Sequence, residues 1–172
     1  MKRATSIVAW SLLGIFMAAL VGFIIPFIGF GGPSFKAVAA DAAAAYNLDI
    51  NDYEINFQRQ VTNSQGQHVQ GLYRVADGKE IIFIQTSWSR PMVIATIFHE
   101  FAHAAQKKYN PDTAGLTIEQ HAEVWSFSKL WHSAYRYDAI HLLSMHIMGK
   151  GAEYRAAGAI WGIAFSGSPL DI

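Results

Sequence analysis

The sequence predicts an α+β domain, with a short antiparallel or mixed sheet and two site-bearing helices, behind an N-terminal transmembrane helix. Three observations carry this expectation. Residues 4–35 hold no charge, residues 53–86 are rich in β-formers, and helical patterns with start signals follow at Ser89 and Thr117. A chain of 172 residues suits one domain with its own core. Its 13 basic and 13 acidic residues cancel, so no charge excess suggests a nucleic-acid partner. There is no cysteine, hence no disulfide framework.

Residues 1–35 read as a membrane anchor with its linker, and residues 36–172 as the folded domain. The run "IVAWSLLGIFMAALVGFIIPFIGF" exceeds the roughly 20 apolar residues a helix needs to span a bilayer. It is also longer than the roughly 7–15-residue core of a secretory signal. Lys2 and Arg3 precede it and Lys36 follows, which keeps the N-terminus cytoplasmic and the rest on the outer, periplasmic or extracellular side. A rival is cleavage at the Ala-x-Ala site of Ala37 to Ala39. The alanine-rich "FKAVAADAAAAYN" reads instead as one unbroken helix, which favours an uncleaved anchor.

"GFGGPSF" is the linker, and a helix is expected from about Lys36 to Tyr46. "YEINFQRQV" alternates as a strand, and "TNSQGQHVQG" is a polar connection. In "LYRVADGKEIIFIQT" the Asp77-Gly78 pair between two β-rich runs signals a hairpin. Ser89 is placed to cap the next helix and Pro91 suits its first turn. That helix runs to about Lys108 and stops at "YNPDTAG". Thr117 opens another, with Gln120 three residues on as capping-box partner. It continues towards Tyr137, or bent or broken to Met148, before Gly149 and Gly151. The tail is apolar but too short and glycine-rich for a second span.

Within the first of these helices stands "IFHEFAHAAQ", residues 97–106. His99 and His103 are four apart, share a helix face and can offer two imidazoles to one ion. Glu100 is turned by about 100° from His99, beside a bound metal without being a ligand. There it can take a proton from metal-bound water, which is the mechanical content of the H-E-x-x-H pattern. With 7 His and 6 Glu in the chain, a shuffle would produce roughly 0.01 such matches. A catalytic zinc needs a third protein ligand and one open position. The metzincin continuation is excluded, because Gln106 and Tyr109 stand where its glycine and histidine belong. The next helix offers Glu119 and Glu123, four apart on one face, with His121 between them but turned away.

His99-Glu100-x-x-His103 followed by Glu119-x-x-x-Glu123 resembles the gluzincin metallopeptidases, the thermolysin-like zincins. The resemblance covers roughly residues 53–137. It implies a zincin-like catalytic domain over 36–172, Zn2+ as cofactor, Glu119 as third ligand and Glu123 as the carboxylate orienting a zinc-bound histidine. Such families often carry Asp where Glu123 stands. The β-rich stretch before the motif is similar to the strand that holds extended substrates in that group. His121 is the competitor for the third ligand position, and His132, Tyr135 and Tyr137 are candidates to stabilise an oxyanion or, alternatively, part of a packed aromatic patch with Trp125 and Trp131. His68, His141 and His146 read as surface or packed residues.

The expected function is therefore a membrane-anchored zinc endopeptidase acting on peptide or protein substrates, with Glu100 as general base. The alternative is a membrane-tethered zinc-binding or peptide-binding domain that does not cut, a degenerate zincin. Structural zinc sites are usually closed by four ligands and rich in cysteine, and Glu100 has no purpose in one.

Overall fold

The computed structural model describes residues 32–113 and 115–139. The chain divides into two units, Met1–Ser34 and Phe35–Ile172, and every element below belongs to the second. The expected membrane helix falls almost wholly outside the described residues, as do the continuation to Met148 and the apolar tail. Among the described residues no helix is long and apolar enough to cross a membrane. The longest, Arg90–Tyr109, has 20 residues but carries Arg90, Glu100, Lys107 and Lys108. Each such charge is costly in hydrocarbon. The expected fold class and the single-pass membrane localisation are corrected accordingly: the described chain is a mixed α/β fold.

Helix α1 (Phe35–Ala45) opens it and buries Val38, Ala39, Ala42 and Ala43. A 3-10 turn at Ile50–Asp52, capped by Asp49, leads into β1 (Tyr53–Gln58). The strand expected over residues 53–61 stops there. Val61–Thr62 is instead β2, paired antiparallel with β3 (His68–Val69) inside the segment expected to be only a connection. Asn63 makes that ribbon: its Oδ1 accepts from the Gln65 and Gln67 amides at 3.0 and 2.9 Å, the local bonding Asn offers a turn.

Strands β4 (Gly71–Ala76) and β5 (Lys79–Gln85) form the expected hairpin. Asp77 and Gly78 take φ of 53° and 76°, the positive pair a two-residue turn of this hand requires. β1 adds to β5 in parallel, giving a mixed sheet ordered β1-β5-β4. Among the described residues the run before the histidine motif is thus the central strand, and β4 is an edge. The Gln85 amide donates to the Gln70 carbonyl at 2.8 Å. By the alternation of an antiparallel ladder, Gly71, Tyr73 and Val75 therefore point their backbone polar groups away from β5.

Helix α2 (Arg90–Tyr109) packs on this sheet and on α1, and α3 (Ile118–His132) packs on α2 and α1. Ser89 precedes α2, but its side chain makes no capping bond; only its carbonyl is used, by Val93. Pro91 sits in the first turn as expected. α2 ends where Asn110 turns left-handed at φ 45° and sends its N–H to the Gln106 carbonyl. α3 starts with the full Thr117–Gln120 capping box. It stops at His132, where Ser133 turns its N–H and hydroxyl back onto the Leu130 carbonyl, and helix resumes at residues 136–139, so the expected continuation is broken there.

Ile94, Ile97, Phe98 and Phe101 of α2 are completely buried with Ile82 and Ile84 of β5. Ala102 and Ala105, also fully buried, bring little bulk to an interior face of α2. Tyr46 donates its hydroxyl to the Phe98 carbonyl at 3.1 Å and meets Trp125 edge-on. The core thus holds α2 from several sides, which leaves its polar stripe fixed in direction.

Candidate metal centre

The apolar residues that bury α2 recur every three to four positions, so His99 and His103 are left together on the remaining face, one turn apart. The capping box sets the start of α3, and Glu119 falls in its first turn, opposite that face. The Nε2 atoms of His99 and His103 are 3.1 Å apart. Glu119 Oε2 lies 3.4 Å from the first and 3.5 Å from the second. An ion with bonds of about 2.0–2.2 Å to tetrahedral ligands keeps those atoms roughly 3.3–3.6 Å apart. The triangle needs almost no adjustment to meet that. His99, His103 and Glu119 can hold a metal ion.

The outer nitrogen of each ring also has a neighbour. Glu123 Oε2 stands 3.1 Å from His99 Nδ1, although that nitrogen, itself buried, is not aligned for a regular hydrogen bond. His103 Nδ1 meets Gln106 Oε1 at 2.9 Å. Burial alone would favour a neutral His99, but the Glu119 and Glu123 carboxylates outweigh it and push the ring up to about 10. The two histidines beside Glu119 in turn hold its carboxyl far below the usual carboxylate range. The site therefore attracts a cation, and without a metal a proton fills that role.

Glu100 is 5% exposed and lies under the edge strand. Burial raises its pKa, partly offset by the nearby histidines and by the Tyr73 backbone N–H, which donates to its carboxylate. Gly71 makes this approach possible: a Cβ there would stand 2.4 Å from Glu100 Oε1 and 2.6 Å from Thr96 Cγ2. At the far end of the strand Glu80 accepts from Tyr73 and from Lys107, at 2.9 and 2.8 Å, tying β4, β5 and α2 together.

A cleft of about 900 Å3 runs along these groups, between β4, α2 and α3. Its floor carries His99, Glu100, His103, Glu119 and Glu123. One end is apolar, with Met92, Phe127 and Leu130; the other is polar, with Gln106, Lys107 and Asn110.

The remaining candidates lie elsewhere. His121 is 2% exposed, bonds through Nδ1 to Gln106 and packs on Trp125, outside the three-residue group. His132 is exposed at the end of α3 and does not line the cleft. Tyr135 is buried, packs on Phe98 and gives its hydroxyl to Asp41 at 2.5 Å, again away from the cleft. Tyr137 is 72% exposed. Trp125 and Trp131 join aromatic contacts with Tyr46 and Phe127. Two residues that sequence reasoning passed over matter here. Gln106 had a signal, since it stands three positions after His103 on the same face; Gly71 had none, because its neighbour is distant in the chain. Compared with known proteins, the chain matches no family model, no curated protein and no solved structure.

Proposed function

We propose that this chain is a zinc-dependent peptidase. The observation that carries the reading is the pairing of a three-ligand triangle with a buried Glu100 beside β4, the outer strand of the sheet among the described residues. Two imidazoles and one carboxylate suit zinc and leave one of four positions free, as catalytic rather than closed sites do. Zinc bound here would polarise a peptide carbonyl and bring its water's pKa towards 7. With the metal held, Glu100 would accept a water proton on its carboxylate and pass it to the leaving amine. Its raised pKa improves it as an acceptor near neutral pH, and the Tyr73 N–H keeps the carboxylate directed. Glu123, 3.1 Å from His99 Nδ1, stands where a small turn of either side chain would let it orient that ring. An extended peptide adds along β4, whose outward backbone groups at Gly71 and Val75 supply partners for it.

The test is Glu100→Gln in the full chain, incubated with a mixed peptide pool with and without chelator. Zinc content stays near one per chain while hydrolysis falls by about 10²–10⁴-fold. Unchanged cleavage by that variant, or cleavage by wild type that chelator does not touch, removes the proposal.

A further inference from the structure

The Gln106 amide sits where three polar groups meet. Its Oε1 is 2.9 Å from His103 Nδ1, and its Nε2 is 2.9 Å from the Ile118 carbonyl and 2.9 Å from His121 Nδ1. A backbone carbonyl only accepts, so the amide must turn its NH2 towards Ile118. Its oxygen then faces His103, and an oxygen only accepts, so His103 Nδ1 must carry the hydrogen. The lone pair of a neutral His103 is thereby placed on Nε2, the atom 3.5 Å from Glu119 Oε2.

We infer that Gln106 is a positioning residue: its amide, oriented by the Ile118 carbonyl, holds His103 in the Nδ1–H tautomer and presents a bare Nε2 to the metal. This rests on the triangle being a metal centre. A neutral imidazole ligates through only one nitrogen, and which one is free depends on the bond made by the other. Ile118 immediately precedes Glu119, so the same amide keys the start of α3 to the histidine face of α2. One side chain sets the tautomer of the second ligand and the register of the third. The second amide hydrogen goes to His121 Nδ1, which keeps that ring against Trp125 and off the metal. This accounts for Glu119, rather than His121, completing the group.

The experiment uses the full chain and needs no substrate. Long-range 1H–15N spectra of the metal-free protein report the His103 tautomer, and competition with a chromogenic chelator reports zinc affinity. In wild type His103 is the Nδ1–H form. Gln106→Leu loses that preference and weakens zinc binding about 10–100-fold. Gln106→Glu keeps an acceptor at Nδ1 and retains the Nδ1–H form, while its lost donor to Ile118 leaves zinc affinity between wild type and Gln106→Leu, a split that a bulk structural role would not predict. His121→Ala leaves zinc affinity within about threefold, because the His103 bond survives. An Nε2–H His103 in wild type overturns the inference even if no Gln106 variant folds. So does zinc affinity within threefold of wild type in Gln106→Leu. Failure of wild type to bind zinc at all would instead remove the metal centre itself. Zinc binding without peptide cleavage would remove only the peptidase.

Discussion

Replacing Gly71 by alanine tests the contact on which Glu100 depends. The added methyl would stand 2.4 Å from Glu100 Oε1, 2.8 Å from Glu100 Cδ and 2.6 Å from Thr96 Cγ2. Carbon ordinarily keeps about 3.5 Å from such atoms, so roughly 1 Å of overlap must be relieved. Glu100 alone cannot relieve it. Thr96 is held by its hydroxyl bond to the Met92 carbonyl at 2.8 Å, and its branched Cβ has few other rotamers. Either β4 moves out from β5 or Glu100 leaves the Tyr73 amide. Overpacking of this kind costs about 1–3 kcal/mol. For a domain of this size that lowers Tm by roughly 3–15 °C. Displacing the proposed general base by about 1 Å costs the proposed hydrolysis on the order of 10²-fold. Zinc content stays unchanged, since none of the three ligands touches Gly71. Differential scanning calorimetry, metal analysis and peptide cleavage read the three quantities. A variant with wild-type Tm and wild-type turnover would refute the claim that β4 presses on Glu100.

Three further outcomes follow from the same geometry. Glu119→Ala leaves two imidazoles on the ion and reduces zinc to well below one per chain in dialysed protein; full retention would show that another group supplies the third bond. Zinc affinity rises with pH, because His99 holds a proton up to about 10 in the metal-free protein and must release it to bind. Calorimetric titrations between pH 6 and 8.5 should show roughly tenfold tighter binding per pH unit, whereas a histidine with the ordinary value of about 6.5 would give a plateau above neutrality. Tyr135→Phe removes the bond to Asp41 and costs about 0.5–1.5 kcal/mol in denaturant unfolding. Its kcat stays within about twofold of wild type, and a larger loss would bring that hydroxyl into the chemistry.

What the linear chain disclosed is what depends on near neighbours. The spacing of His99 and His103, the Asp77-Gly78 turn and the Thr117–Gln120 box are all relations within a few residues, and helix or hairpin geometry converts them directly into positions. Local pattern also pointed to Glu119 and Glu123 as a pair on one face. It misjudged the stretch over residues 59–69, because Val61 pairs with Val69 and Thr62 with His68 through a turn that Asn63 closes, a competition that alternation alone does not reveal. It likewise carried Ser89 as a side-chain cap where only the carbonyl serves, and it placed an N-terminal membrane helix before the domain, whereas no helix among the described residues is long and apolar enough to cross a membrane.

Tertiary structure decided the rest. Whether Glu119 or His121 faces the histidines depends on how α3 is rotated when it docks, and that rotation is set by packing and by Gln106 reaching across to Ile118. That β4, rather than the run beside the motif, is an outer strand among the described residues follows from β1 joining β5 in parallel, a pairing between segments more than twenty residues apart. The burial that raises Glu100 comes from a strand lying over it, with Gly71 leaving room for its carboxylate. Side-chain identity gave these residues their chemical capacities; only the docking of distant segments turned three of them towards one point.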